Sequence, residues 1–147
     1  MNNISFIGDL TLSALGSVGN DGDVIPYLRT PAISNDGEQI AFAYAGDIWI
    51  VSSEGGDARM ITSHDEYDER PRFSPDGTQL AFVSKRTGNG DIYVISLENG
   101  DIKRLTYNDS VNVLDCWSPD GKWLYFNSSM EGTAILLTKC HWMGEHQ

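Results

Sequence analysis

Disulfides have little to work with in this chain: its only two cysteines, Cys116 and Cys140, fall in different strand-like runs and read as ordinary core or edge thiols. Basic residues are scarce, ten Lys and Arg against 21 Asp and Glu, for a formal charge of −11. That balance repels phosphate backbones and anionic lipid, so neither nucleic acid nor membrane is an expected partner. No apolar run approaches the ~18 residues of a membrane span, and Met1-Asn2-Asn3 lacks the basic start of a secretory signal. Cytoplasm is the default expectation, with the periplasm open if the chain is part of a longer exported protein. Catalytic signatures are also missing: there is no Gly-x-Ser-x-Gly elbow, Walker loop, His-Glu-x-x-His helix or paired Cys-x-x-Cys. His64, His141 and His146 are scattered, and Cys140, His141 and His146 have no regular ligand spacing. The expectation is a non-enzymatic chain without metal or cofactor.

What is present is a repeat. Pro71-Arg72-Phe73-Ser74-Pro75-Asp76-Gly77 opens a unit that continues through Gln79–Ser84, Asp91–Ser96 and Ile102–Thr106, four short β-rich runs each closed by a turn signal. Pro31-Ala32-Ile33-Ser34-Asn35-Asp36-Gly37 opens the same pattern earlier, and Asp115-Cys116-Trp117-Ser118-Pro119-Asp120-Gly121 opens it again later. Ser34 and Ser74 are 40 residues apart, whereas Ser74 and Ser118, Asp47 and Asp91, and Thr62 and Thr106 are each 44 apart. Arg86-Thr87-Gly88-Asn89, inserted in the second hairpin, accounts for the difference. A period of about 40 to 45 residues with four strands per unit predicts an all-β fold of propeller blades, each packed against its neighbours around an axis. In the shared Ser-x-Asp-Gly frame, the side chains bond turn amides and Gly takes positive φ.

The expected organisation is an N-terminal strand and linker over residues 1–25, blade 1 over 26–64, blade 2 over 65–108, an incomplete blade 3 over 109–140 and a tail over 141–147. Strand signals lie at 4–7 and 9–15, before the turn-rich Gly16–Asp23. In the third unit, Thr133–Thr138 stands where Asp91–Ser96 does in the second, and no Arg-Leu-Thr follows. About three four-stranded antiparallel blades leave sheet faces and an edge to cover. A homodimer closing a six-bladed ring is expected, with the strand at 9–15 completing the short third blade; a fragment of a longer product is the other possibility.

The repeat Ser-Pro-Asp-Gly, a strand with Ala-Phe, Asp-Ile-Tyr or Asp-Ile-Trp, then Arg-Leu-Thr resembles that of TolB-type propellers. It is also similar to propellers of tricorn-like proteases and prolyl oligopeptidase relatives. The resemblance covers residues 27 to about 138. It implies a module that binds a protein or peptide, or else an accessory domain that gates or presents peptides to a hydrolase.

The connection Ser63 to Arg70 holds the candidate partner-binding residues His64, Asp65, Glu66, Asp68, Glu69 and Arg70. Four carboxylates in five residues beside a histidine suit a cation or a basic partner, and equally suit a solvated loop. The corresponding stretch 107–114 is nearly neutral, which gives no support to a repeated metal site. Trp49, Tyr93, Trp117, Trp123, Phe42, Phe82 and Phe126 recur in phase and are expected to pack between blades. Arg59 and Arg104 are expected to face solvent, and Arg29, Arg70 and Arg72 to reach a central channel.

Overall fold

The computed structural model describes residues 5–7, 11–13, 28–129 and 136–142, and helix is absent among them. Three consecutive antiparallel sheets follow the repeat. The first contains β3 (Arg29–Ile33), β4 (Gln39–Tyr44), β5 (Asp47–Ser52) and β7 (Arg59–Met60), in that spatial order. Between the last two, β6 (Gly56–Asp57) forms a separate pairing described below. The second sheet runs β8 (Asp68–Phe73), β9 (Gln79–Ser84), β10 (Asp91–Ser96) and β11 (Ile102–Arg104). The third has β12 (Val111–Trp117), β13 (Trp123–Ser129) and β14 (Leu136–His141). The strands β3, β8 and β12 lie beside one another, so the sheets converge along their first strands like blades at a hub.

Each blade opens with the same turn. Ser74 Oγ donates to Asp76 Oδ1 at 2.6 Å and accepts from the Gln79 amide at 3.0 Å, while Asp76 Oδ1 also accepts from the Thr78 amide at 3.1 Å. Ser34 with Asp36 and Ser118 with Asp120 repeat the arrangement at 2.5 Å. The glycines that follow have φ of 78°, 73° and 69°, a region other residues enter at a cost. A second shared device lies on the first strands, whose register against the next strand shifts between Arg29 and Ala32, Glu69 and Arg72, and Leu114 and Cys116. These β-bulges bend each strand where the blades meet. Thr30 and Arg70 hold φ of 50° and 56° in the first two, and the Arg70 amide donates to Thr30 Oγ1 at 3.1 Å across the blades.

Side-chain alternation then builds the core between sheets. Ala41, Ala43, Ile48 and Ile50 of blade 1 meet Leu80, Phe82, Tyr93 and Ile95 of blade 2. Ala81, Val83, Ile92 and Val94 of blade 2 meet Leu114, Trp117, Leu124 and Phe126 of blade 3, with Cys140 and Trp142 packed against them. The alanines on one face leave room for the large side chains of the next, so the sheets pack closely. Burial of a side chain such as Phe82 or Leu124 contributes about 1.5–3 kcal/mol.

Two expectations change. Among the described residues the final strand of blade 3 is Leu136–His141; residues 133–135 of the expected run lie outside them, and the register sets Leu136, not Thr133, in the place of Asp91, with Cys140 and Trp142 packed against the core. The strand at 9–15 does not extend blade 3 within the chain. Instead β2 (Thr11–Ser13) pairs with β1 (Ser5–Ile7), and β1 pairs with β6, placing Ser5 opposite Asp57. Gly56, with φ of 108°, stands opposite Phe6 at the bend that frees this short edge from blade 1.

Candidate site on the blade connections

The connection between blades 1 and 2 splits the six anticipated residues. His64, Asp65 and Glu66 are exposed, Glu69 and Arg70 half-buried, and Asp68 is buried at 1% exposure. The exposed part is ordered by its own bonds. The His64 amide donates to Asp47 Oδ1 at 3.1 Å, and the Glu66 amide donates to His64 Nδ1 at 3.0 Å. That second bond occupies one imidazole nitrogen and shapes the loop as an Asx-like turn would.

Asp68 serves the interior. Its Oδ2 pairs with Arg86 Nη2 at 2.8 Å, whereas its Oδ1 has no hydrogen-bond partner among the described residues. The Arg86 guanidinium lies over the rings of Tyr93 and Phe82, 5.0 and 5.6 Å from their centroids, and its Nε donates to Ser84 Oγ at 2.7 Å. Arg86 belongs to the hairpin insertion, which in sequence shows only as added length. An arginine beside apolar strand residues was the available signal, since burial of the first acidic residue of β8 demands a cation.

The same insertion ties blade 2 to the next connection. Thr87 Oγ1 donates to Asp91 Oδ2 at 2.6 Å, and Asn89 Nδ2 donates to the Asp109 carbonyl at 2.9 Å. Asn112, in the place Asp68 occupies one blade earlier, donates to the Gly90 carbonyl at 2.8 Å, and its own Oδ1 has no hydrogen-bond partner among the described residues. The Asp of the Asp-Ile-Tyr run is likewise structural. Asp91 accepts from Thr106 Oγ1 at 2.7 Å and from Arg104 Nη2 at 2.8 Å, while Thr106 Oγ1 accepts from the Ile92 amide at 3.0 Å. Arg104, expected to face solvent, is half-buried and paired with Asp91, whereas Arg59 is exposed.

What faces outward from these connections is aromatic as well as acidic. Tyr67 is 63% exposed beside Glu66, and Tyr107 is 74% exposed with the Arg104 guanidinium 4.6 Å from its ring centroid. At the first strands, Arg72 Nε donates to the Asp115 carbonyl at 2.7 Å and Nη1 to the Pro71 carbonyl at 2.8 Å, so it bridges backbone and does not seek a carboxylate. Burial, and then the neighbouring Arg70, lower its pKa from the ordinary arginine value. Together with Ala32 and Cys116 it lines a groove of about 370 Å³ between the three first strands.

This sheet order, with bulged first strands side by side, is that of propeller blades, and residues 25–140 match the model of the tricorn protease N-terminal beta propeller domain. The chain belongs to that family. It is 39% identical over 62 residues to tricorn protease homolog 1 of Streptomyces coelicolor, covering 42% of this chain and 6% of that protein. Over 50 residues it is 46% identical to a TolB homolog of Chlorobium luteolum, covering 34% and 12% of the two chains. Among solved structures it is similar to a putative TolB from Agrobacterium tumefaciens, with a TM-score of 0.68 and 27% identity, covering 94% of this chain and 50% of the other. The match thus spans half of that solved TolB chain and a small part of the curated relatives.

Proposed function

We propose that this propeller domain is a non-enzymatic module that binds a protein or peptide through the connections 63–70 and 107–114. The observation that carries the reading is the pair of exposed aromatics, Tyr67 and Tyr107, set on that face among the exposed carboxylates Asp65, Glu66 and Asp109. Large exposed aromatics supply contact area at low entropic cost, and the acidic rim, in a chain of charge −11, favours a partner with basic residues. His64, Asp65, Glu66 and Glu69 form the surface in this reading. Asp68 holds the loop from beneath.

The test uses two labelled unstructured peptides, one rich in Lys, Arg and aromatics and its counterpart with acidic residues, measured by fluorescence anisotropy at low and high salt. The basic peptide should bind, more weakly in salt, and Tyr67→Ala with Glu66→Lys should reduce its affinity by at least about tenfold. Equal binding of both peptides, or no loss in the variant, would overturn the assignment of this face.

The family match favours a second reading, that of a domain presenting peptides to a hydrolase. The two readings separate on whether a bound peptide is cleaved faster when an attached or added peptidase partner is present. Hydrolysis by this chain alone would sink both.

A further inference from the structure

The two joints inside the stack are built alike, and strand register identifies the third blade's corresponding face. In blade 2 the forward residues pair across the sheet as Ala81 with Val94 and Val83 with Ile92. Blade 1 has Ala41 with Ile50 and Ala43 with Ile48. All eight are buried. In blade 3 the same places pair as Tyr125 with Lys139 and Asn127 with Leu137. A small, wholly apolar set has become an aromatic ring, an amide, an ammonium and a leucine that is 73% exposed.

The polar members are engaged within their own sheet. Asn127 Nδ2 donates to Asp115 Oδ2 at 2.6 Å, and Lys139 Nζ lies 4.3 Å from the Trp123 ring centroid, with His141 against the same ring at 4.7 Å. Register also sets Leu136 where the first two blades have Asp47 and Asp91, since Asp91 stands opposite Ser84 and Leu136 opposite Ser128. The carboxylate to which blade 2 fastens its fourth strand, through Thr106 and Arg104, has no equivalent there.

We propose that the forward face of blade 3 does not accept a blade from a second copy of this chain in the manner of the two internal joints. Docking in the manner of the two internal joints would press the first blade's Ile40, Phe42, Trp49 and Val51 onto Tyr125, Asn127 and Lys139. That buries an ammonium without a partner carboxylate and overfills the space that alanine leaves open elsewhere. Phe42 and Val51, the residues a partner would offer, are already 1% and 4% exposed in the single chain. Two bodies of charge −11 repel as well. The two-copy ring anticipated from the repeat count therefore lacks its joint.

Light scattering coupled to size exclusion on the full chain, across a dilution series, tests this. Wild type is expected at the mass of one chain, 16.2 kDa, at every concentration. Tyr125→Ala with Asn127→Val and Lys139→Val copies the second blade's face and should raise the mass at least twofold as concentration increases; Lys139→Val alone is the milder version should the triple variant misfold. A wild-type dimer that Leu137→Asp dissociates would overturn the proposal. So would a folded triple or single variant that stays at one chain's mass, because the polar set would then not be what keeps the face free.

Discussion

Blades 1 and 2 repeat the same frame but balance charge differently. In blade 2, Asp91 is ringed by Thr106, Arg104 and Thr87, with the Arg86–Asp68 pair nearby on the same connection side. In blade 1, Asp47 has the His64 amide and Thr62, but Met60 stands where Arg104 does, and a tight Ala45-Gly46 turn replaces the insertion that supplies Arg86 and Thr87. The Asp47 carboxyl is raised above its ordinary value, chiefly by burial, with Asp68 adding to the effect and the His64 amide opposing it. One motif thus yields a compensated carboxylate in blade 2 and an undercompensated one in blade 1. The Ser-x-Asp-Gly and Asp-Ile-aromatic signatures set the backbone, and insertions set the electrostatics.

The largest expected effect breaks the better-balanced side. Arg86→Ala removes the cation paired with Asp68, whose side chain is fully enclosed and whose second oxygen has no hydrogen-bond partner among the described residues. Stranding a buried carboxylate costs about 3–5 kcal/mol, and loss of the guanidinium from the Phe82 and Tyr93 rings adds to it. Urea unfolding should register the loss as a lower midpoint with an unchanged m-value. A shift under about 1 kcal/mol would mean that water or another cation serves Asp68 equally well.

A smaller change should narrow the comparison. Met60→Arg gives blade 1 the residue that blade 2 has, opposite Trp49 as Arg104 is opposite Tyr93. Met60 is exposed, so the substitution costs little packing, and the new ion pair is expected to add about 0.5–1 kcal/mol at low salt. The sign follows from the titration. A carboxyl whose folded pKa is raised loses stability as pH climbs through its ordinary value, and a nearby guanidinium lowers that pKa and recovers the loss. The gain should therefore appear at neutral pH and vanish in acid. A gain independent of pH would point to packing alone.

Much of this was legible in the sequence because the repeat is a pattern of backbone needs. Ser34, Ser74 and Ser118 with their aspartates and glycines specify three turns, and the alternation of Ala81, Val83, Leu80 and Phe82 specifies two faces. The roles of Arg86, Asp68 and Asp91 were hidden because each depends on partners 13 to 18 residues away across a sheet. The acidic run at 65–69 looked like one surface, yet the entry of β8 takes Asp68 inward. At the end of the third unit, the run 133–138 was read in the place of Asp91–Ser96, and the register that sets Leu136 there shows only in the pairing with β13 and in the packing of Cys140 and Trp142 against the core.

The finest test concerns the feature that all three blades share. Asp36, Asp76 and Asp120 have pKa values below the ordinary carboxylate value, first because a serine hydroxyl donates to each and then because a turn amide does, the latter bond outranked only by partial burial at Asp76. A carboxyl depressed in the folded state contributes stability that is present above its unfolded pKa of about 3.9 and is lost as pH falls through the lower folded value. Asp47 has the opposite sign, so acid removes the contribution of the turns while relieving the strain in blade 1. Thermal melting should fall more steeply below about pH 4 in wild type than in a variant carrying Asn at 36, 76 and 120, whose neutral-pH melting point is already lower. If the two curves run parallel in acid, the turn aspartates act through shape alone. The ionised hydroxyl-to-carboxylate bond at the start of each blade would then add no stability of its own.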